Sequence, residues 1–164
     1  MSLIATGTTY LVEVRLRAEF ADAAGLAALA QLQHAGFAAA RSVRVSSLYA
    51  VCGLLNQSHV QQAAKELLSD GVTQEFKLLS GAPVLDGMNH WRVEVWLKST
   101  MTDAVGESVR RAMAELGLPE PERVRCGTAY RVLGRTTRNV LERAVRRTLV
   151  NPVIQTFTVT EAYD

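Results

Sequence analysis

Apolar positions recur with two different periods along the chain, and the same order of periods occurs twice. The segments VEVRLR, from Val12, and VEVWLK, from Val93, alternate apolar and polar residues, which is typical of a half-buried strand. A stretch with helical spacing follows each of them, and then come further alternating segments, a second helical stripe and a final alternating segment. The pattern predicts that each half folds as strand, helix, strand, strand, helix, strand.

The two halves are copies of one unit. Residue n corresponds to residue n+81 without a gap, from Val12 against Val93 to Phe76 against Phe157. A period of this length is too long for a solenoid repeat and indicates a duplicated small domain. We expect a first repeat at 1–81 and a second at 82–164, with the turn-rich segment SGAPVLDGMN at 80–89 as the linker.

The first helix of each repeat is predicted to begin and end at matching residues. Asp22 and Asp103 stand where an N-cap carboxylate accepts hydrogen bonds from the first turn. Gly36 and Gly117 follow as C-terminal stops. The predicted buried stripes consist of Ala24, Ala28, Leu32 and Ala35 in the first copy and of Val105, Val109, Ala112, Met113 and Leu116 in the second.

The middle of each repeat is predicted to be a pair of strands. Residues 42–45 and 48–54, and their counterparts 123–126 and 129–135, alternate in polarity around a short turn at Ser46–Ser47 or Gly127–Thr128. The last strands are expected at 72–78 and 153–159. The buried stripe of the second helix is clearest in the second copy, where it comprises Leu141, Ala144, Val145, Thr148 and Leu149.

One such unit has a thin core, because a small sheet with helices on one face leaves its other face uncovered. Two copies in one chain can cover each other. The expected fold is therefore α+β, with two tandem βαββαβ, ferredoxin-like units that form an intramolecular pseudo-dimer. Their antiparallel sheets are expected either to pack together or to join at an edge.

Composition narrows the classes of partner. The chain has 18 Lys and Arg against 16 Asp and Glu, a formal net charge of +2, which is too balanced for a broad nucleic-acid-binding surface. Its apolar runs are far shorter than the ~20 residues that a membrane helix needs. Two cysteines cannot form a disulfide framework, and MSLIATGTT does not resemble a signal peptide. We expect a cytoplasmic protein with no nucleic-acid or membrane partner.

No motif of catalysis or cofactor binding stands out. The sequence contains no glycine-rich dinucleotide fingerprint, phosphate loop or nucleophile elbow. His34, His59 and His90 share no metal-ligand spacing with one another or with the cysteines, and Cys52 and Cys126 read as buried thiols within strands. We therefore assign no catalytic residue, no cofactor and no metal.

Two matched pairs of side chains admit a functional interpretation beside a structural one. Asp22 and Asp103 could form a symmetric pair of carboxylates for acid–base chemistry, although helix capping explains them more simply. Tyr49 and Tyr130 could stack on nucleobases, although each strand offers a single aromatic. We favour capping for the aspartates and burial or an interface for the tyrosines.

Arginine is concentrated in one strand of the second repeat and in the helix after it. The counterparts of these residues in the first repeat form a near-neutral set, so folding alone does not require the charge. A solvated helix face and a protein-docking face are both open, and arginine suits docking because its planar head carries several donors. The candidate interface residues are Arg131, Arg135, Arg138, Arg143, Arg146 and Arg147, opposite Ala50, Leu54, Gln57, Gln62, Lys65 and Glu66.

The segments VRCGTAYRV, from Val124, and RRTLVNPVIQTFTV, from Arg146, contain several short motifs in a fixed order. They resemble the carboxy-terminal half of the PurS family, the small subunit of phosphoribosylformylglycinamidine synthase in purine biosynthesis. DAVG at 103–106 and DAAG at 22–25 stand where the family has Asp-Pro-x-Gly. The chain departs from the family in the alanine of both motifs, in Ser47 and Thr128 for the usual lysine, and in DGVT at 70–73 for NPVI.

The resemblance implies a non-catalytic structural subunit. Members of the family pair as dimers and bridge the ATP-using synthetase subunit to the glutaminase subunit, which helps ammonia pass between them. Two fused copies would replace such a dimer, so the chain is expected to be a monomeric pseudo-dimer or a homodimer. No activity is expected for the isolated chain, although it would belong to a glutamine-dependent ligase complex.

Two other classes of function remain open on the sequence. A small-molecule-sensing regulatory module built of tandem ferredoxin-like units would share this organisation and could use the cleft between the halves. A small enzyme with its site at the pseudo-twofold interface is the third possibility.

Overall fold

The computed structural model describes residues 7–79 and 90–162, so the predicted linker at 80–89 lies outside the described residues. The first repeat consists of β1 (Thr8–Leu16), α1 (Ala23–His34), β2 (Ala40–Gly53), α2 (Gln57–Ala63) with a π-helical turn (Ala64–Leu68), and β3 (Gln74–Leu79). The second consists of β4 (His90–Leu97), α3 (Ala104–Glu115), β5 (Arg123–Gly134), α4 (Arg138–Thr148) and β6 (Gln155–Ala162). None of the helices in these two stretches could cross a membrane, given their length and polarity.

All six strands form one antiparallel sheet in the order β3-β1-β2-β5-β4-β6. The order is symmetric about the β2–β5 pair, which joins the two repeats along their full-length middle strands. The α+β class and the antiparallel pseudo-dimer are confirmed, with the sheets joined at an edge. The boundaries of the repeats at 81 and 82 stay a prediction.

The turn predicted in the middle of each repeat does not form, and this prediction was wrong. Ser46 and Ser47 lie inside β2, where they pair with β1 on one side and with Ala129 and Thr128 of β5 on the other. The sheet is thus consistent with two βαββαβ units in which the second and third strands run on as one. A strand with partners on both sides gains ladder hydrogen bonds that a hairpin at these weak turn residues could not replace.

The turn was wrongly predicted at Gly127 because the glycine at this position is needed for packing. A Cβ built at Gly127 would lie 2.6 Å from Cε3 of Trp96, on the neighbouring strand. The absent side chain therefore makes room for the indole ring. A glycine that admits an aromatic ring looks the same in the sequence as a glycine that turns the chain.

The helices lie on one face of the sheet, and the first helix of each repeat packs on a strand of its own repeat and also into the core of the other. Ala28 and Leu32 of α1 pack into a cluster built mostly from the second repeat, with Val93, Val132 and Leu141 among its members. In return, Met113 of α3 and the following Leu118 pack among residues of the first repeat, such as Val12, Val51 and Val60. Neither cluster belongs to one repeat alone, so each half of the chain completes the core of the other.

The predicted first helices form, but part of their predicted stripes is wrong. Val105 and Leu116 are exposed on α3, and Ala24 is exposed on α1, whereas the helices turn Gly25 and Gly106 toward the sheet. A Cβ at either glycine would collide with a strand carbonyl, Val43 or Val124 respectively. The predicted stripes were based on apolar side chains, so they did not include these glycines. A helix can approach a strand this closely only at a residue without a side chain.

The last strands begin two residues later than predicted, at Gln74 and Gln155. Val72 and Val153 precede them in turns closed by Asp70 and Asn151, whose side chains accept hydrogen bonds from the valine N–H groups at 3.0 and 3.1 Å. Both valines are therefore exposed instead of lying in a strand. On α4, Leu141, Ala144 and Val145 are buried as predicted.

Candidate functional site

The matched aspartates cap helices and anchor them to the sheet. Oδ1 of Asp22 accepts from the Gly25 N–H at 2.8 Å, and Oδ2 accepts from the Val45 N–H at 2.8 Å. Asp103 makes the same two bonds in the second repeat, at 2.8 and 2.7 Å. Because both oxygens of each carboxylate bind backbone within their own repeat, the capping prediction is confirmed and the acid–base interpretation loses its support.

The second bond of each aspartate is made at the point where a middle strand loses its neighbouring strand from the same repeat. Val45 is the first residue of β2 beyond the stretch paired with β1, which ends at Arg15 opposite Ser46. Cys126 stands in the same place on β5, next to Gly127, the last residue paired with β4. The carboxylates thus accept from strand N–H groups at the point where the neighbouring strand ends.

Neither the tyrosines nor Cys126 offers a reactive group. Tyr49 and Tyr130 lie on the helix-covered face against the two apolar clusters, and burial raises the pKa of both phenols. Burial, and then the charge of Asp103, raise the pKa of the Cys126 thiol to about 12. All three groups are neutral near pH 7, and the packed position of the tyrosines fits the buried-tyrosine interpretation better than base stacking.

The three histidines have different surroundings. Nδ1 of His59 accepts from the Asn56 N–H at 3.2 Å and so belongs to the cap of α2, while His34 is exposed at the end of α1. His90 is buried at the start of β4. Within residues 7–79 and 90–162, no three His, Cys, Asp or Glu side chains come together in a way that could hold a metal ion.

The six candidate interface arginines do not share one face. Arg131 lies on β5 and points to the side of the sheet away from the helices, since Tyr130 and Val132 beside it face the helices. Arg135 follows β5 and is exposed. The other four lie on α4, which packs on the helix-covered face, at Arg138, Arg143, Arg146 and Arg147.

The arginines of α4 form an exposed, basic surface. The guanidinium of Arg146 lies 5.5 Å from the centroid of the Phe157 ring, a cation–π distance, and Nε of Arg143 donates to the Asn139 carbonyl at 3.4 Å. Arg143 and Arg146 border a shallow groove together with Asn139 and Glu142. These contacts fix the two side chains while leaving them accessible to a partner.

The first repeat differs from α4 in backbone as well as in charge. After Ala63 the helix continues as a π-helical turn, in which Ser69 donates both its N–H, at 3.1 Å, and its hydroxyl, at 2.7 Å, to the Ala64 carbonyl. The sequence pattern predicts the same backbone in the two segments with different charges, and this prediction was wrong. The α2 segment is therefore not a neutral copy of the α4 surface.

A cleft of about 400 Å³ lies on the face of the sheet opposite the helices, and both repeats line it. Its floor carries a row of three arginines, because Arg131 pairs with Arg44 of β2 on one side and with Arg92 of β4 on the other. Adjacent strands are about 5 Å apart, so the three side chains leave the sheet as immediate neighbours. Like charges directly opposite each other destabilise a sheet.

The carboxylates that accompany this row lie in the wall of the cleft, at Glu13 and Glu75, and beside it, at Glu94. Nη1 of Arg92 donates to Glu13 at 2.9 Å and its Nε to Glu94 at 3.2 Å. Nε of Arg15 donates to Glu75 at 2.8 Å.

Of this row, only Arg131 was among the predicted interface residues, and Arg44 and Arg92 were not. Alternation does place both of them on the uncovered face, because each is next in sequence to a core valine, Val43 or Val93. That signal was available. The register that puts them beside Arg131 was not, because it depends on the pairing of β2 with β5 across the two repeats.

The second repeat matches a known protein family. Residues 90–162, which run from β4 to β6, match the family model PurS, described as phosphoribosylformylglycinamidine (FGAM) synthase. No curated protein matches the chain.

Proposed function

We propose that the chain is the non-catalytic, structural subunit of FGAM synthase, because its second repeat matches the PurS family model. In this role it bridges the synthetase and glutaminase subunits in the cytoplasm, so that ammonia released from glutamine reaches the synthetase site. The family match carries the link to purine biosynthesis, and the architecture supports the structural role.

The observation that carries the structural role is that the first helix of each repeat contributes to the core of the other. Residues of α1 complete the core under the second repeat, and residues of α3 complete the core under the first. A single chain thus has the twofold sheet and shared cores of a dimer. This is the arrangement expected if two fused copies replace a pair of PurS subunits.

The chemistry of the described residues fits a subunit without its own active site. The matched aspartates bind backbone N–H groups, and the thiol of Cys126, whose pKa burial raises, stays protonated near neutral pH. The substrate chemistry would then be done by the partners, and this chain would supply position.

We assign partner docking to the arginine surface of α4 together with Arg135. Arg131 is left out of this surface because it lies on the opposite face of the sheet. Arginine favours protein interfaces, since its planar head can bind carboxylates through two parallel hydrogen bonds. An acidic surface on one of the two partner subunits is the expected counterpart of Arg135, Arg138, Arg143, Arg146 and Arg147.

Reconstitution tests the proposed function. Separately purified synthetase and glutaminase subunits are assayed for FGAM formation with and without the chain, once with glutamine and once with ammonium salt as the nitrogen source. We expect the chain to be required with glutamine and dispensable with ammonia, because delivery and not synthesis depends on it. An equal glutamine-dependent rate in its absence would rule out the bridging role.

The cleft lined by both repeats favours a second candidate, a small-molecule-sensing module of tandem ferredoxin-like units. Such a module would bind a small molecule without joining the two subunits. The same reconstitution separates the candidates, because a sensor would not restore the glutamine-dependent rate.

A further inference from the structure

We propose that the outer edge of β6, together with the arginines of α4 beside it, binds an extended acidic segment of a partner protein as an added strand of the sheet. This inference deepens the proposed function, because it rests on α4 as the docking surface and names the kind of segment that docks there. Within residues 7–79 and 90–162, β6 pairs with β4 on one side and has no strand on the other. An edge of this kind can bind another chain through main-chain hydrogen bonds.

The backbone groups on the outer side of β6 are directed away from the sheet. The N–H of Lys98 donates to the Ile154 carbonyl at 2.8 Å, so every second residue after Ile154 bonds to β4 in this antiparallel ladder. The residues between them, Phe157, Val159 and Glu161, therefore point their N–H and C=O groups outward. A strand that lies along this edge would find three residues with which it can pair.

The two edges of the sheet differ in their protection against added strands. Proteins commonly place charged side chains on an edge strand, and these discourage pairing with another chain. β3 has Glu75 and Lys77 at the positions that Thr156 and Thr158 occupy in β6. Both threonines are exposed, and threonine is a residue that favours strands. The edge at β6 is therefore the more open of the two.

Positive charge lies beside the open edge. The guanidinium of Arg146 is 5.5 Å from the centroid of the Phe157 ring, which places this face of α4 next to β6. Asn139, Glu142 and Arg143 lie on the same face of the helix, three, four or seven positions before Arg146, and border the shallow groove with it. An added strand along β6 would therefore lie close to arginine side chains.

The charge of α4 is not neutralised by its surroundings. The helix and β6 together contain four arginines and two carboxylates, at Arg138, Arg143, Arg146, Arg147, Glu142 and Glu161. Within residues 7–79 and 90–162, none of the four arginines forms an ion pair. The neighbouring helix α1 has no carboxylate to offer. Negative charge from a partner is thus the natural complement of this edge.

A second copy of the chain suits the edge less well than an acidic segment does. Pairing of β6 with the β6 of another copy would bring the arginines of both α4 helices together, and like charges repel each other. Carboxylates on an added strand would instead meet the guanidinium groups as opposite charges and could accept charge-assisted hydrogen bonds from them.

The geometry also sets the residue pattern of the segment. The side chains of Phe157 and Val159 lie on the helix-covered face. Residues directly opposite each other in an antiparallel pair share a face, so the residues that bond to Phe157 and Val159 present their side chains toward α4. We therefore expect acidic residues at every second position, with an uncharged residue opposite Glu161, where a second carboxylate would be repelled.

Titration of the full chain with a designed peptide tests the site. The peptide has eight residues, the length of β6, and alternates glutamate with valine, while amide exchange in the chain is followed by NMR. We expect saturable binding that slows exchange at Phe157 and Val159 about tenfold or more, because their N–H groups gain acceptors. The counterparts Phe76 and Leu78, which point outward on β3, are the matched control and should change by less than about twofold.

Two further changes separate the contribution of the backbone from that of charge. The same peptide with N-methyl groups on its glutamates keeps its charge but cannot donate to β6, so it should bind about tenfold more weakly or worse. Arg146→Glu should weaken binding of the unmethylated peptide about tenfold at low salt. Arg111→Glu makes the same charge change on the exposed side of α3 and should alter binding by less than about twofold.

The inference is overturned if the peptide shows no saturable binding, if the N-methylated peptide binds as tightly, or if exchange slows equally at Phe76 and Leu78. It is also overturned if Phe157 and Val159 become protected in the chain alone as its concentration rises, because a second copy would then occupy the edge. The reconstitution assay judges the proposed function separately. A chain that restores the glutamine-dependent rate without binding the peptide keeps the bridging role and loses this site.

Discussion

At the scale of single residues, the Asp-x-x-Gly motif joins each first helix to the sheet. The aspartate accepts from the helix and from the strand, and the glycine lets the helix approach the strand carbonyl. The sequence allowed the cap to be predicted, because N-cap chemistry is local. It did not reveal the second acceptor bond, which reaches across 23 residues to Cys126.

Removing the carboxylate at Asp103 should cost more than an ordinary cap. Asp103→Ala leaves the first turn uncapped and the N–H of Cys126 without its acceptor, so we expect a loss of about 2 to 4 kcal/mol in the free energy of unfolding. Urea denaturation measures it. The exposed neighbour is the control, since Thr102→Ala should stay within about 0.5 kcal/mol. Equal effects of the two changes would refute the double role of the aspartate.

The glycine of the motif should be equally intolerant. Gly106→Ala drives a methyl group into the Val124 carbonyl, and we expect a loss of about 1 to 3 kcal/mol from the resulting displacement of α3. Gly71→Ala serves for comparison, because a methyl group there meets only open space. Thermal unfolding of the two variants side by side gives the answer, and a Gly106→Ala protein as stable as wild type would contradict the close approach.

Cys126 should resist alkylation at ordinary pH. With its pKa raised to about 12 by burial and by Asp103, only about one thiol in 10⁴ is ionised at pH 8, against about a quarter for an ordinary thiol. The rate of carbamidomethylation, followed by peptide mass spectrometry, should therefore rise about tenfold per pH unit between pH 8 and 10. Chain unfolded in urea provides the reference rate, and equal rates in the folded and unfolded chains would show that the thiol is not buried.

At the scale of elements, the sequence located the strands and helices but not how they connect through space. Alternation continues through Ser46 and Ser47 in either a hairpin or a single strand, so polarity alone could not decide between them. The structure has a single strand, and β5 pairs with it along its whole length. The helix α4 was predictable because its apolar stripe is strong. The π-helical turn after Ala63 was not, because the N–H and hydroxyl of Ser69 that bind the Ala64 carbonyl leave no periodic pattern in the sequence.

The docking role of α4 predicts an effect on association. Reversal of charge in Arg135→Glu/Arg138→Glu should slow association with the partner about tenfold or more at low salt, because the arginines attract an acidic surface over distance. The difference should shrink near 0.5 M salt, where the Debye length is only a few ångströms. Stopped-flow mixing or surface plasmon resonance measures the rate.

The matched control changes the first repeat instead. Leu54→Glu/Gln57→Glu introduces negative charge at the counterpart positions and should leave the association rate within a factor of two. Both residues are exposed, so neither variant should lose more than about 0.5 kcal/mol of stability. A slower rate for this control, with the α4 variant unaffected, would place the docking surface on the first repeat.

At the scale of the whole molecule, the shared cores make the two repeats one folding unit. The sequence showed the duplication, since that is read by comparing the chain with itself. It could not show the shared cores, because α1 has the same apolar stripe whether it packs within its own repeat alone or also against the other. The arginine row has the same origin, because it exists only when β2, β5 and β4 lie side by side.

Separating the repeats should therefore abolish independent folding. Fragments 1–81 and 82–164, expressed alone, each lack a helix that completes their core, so we expect them to be unfolded or to pair as homodimers. Mixing the fragments should restore the circular dichroism and the cooperative unfolding of the intact chain. A fragment that stays monomeric and unfolds cooperatively by itself would contradict the shared cores.

The measurement that bears most directly on the account is the mass of the assembly formed from synthetase, glutaminase and this chain, determined by native mass spectrometry. We predict a complex of all three components when the chain is present and separate synthetase and glutaminase when it is left out, since the twofold body of the chain holds the other two together. The account would be contradicted if synthetase and glutaminase associate equally well without the chain, or if the chain binds neither of them.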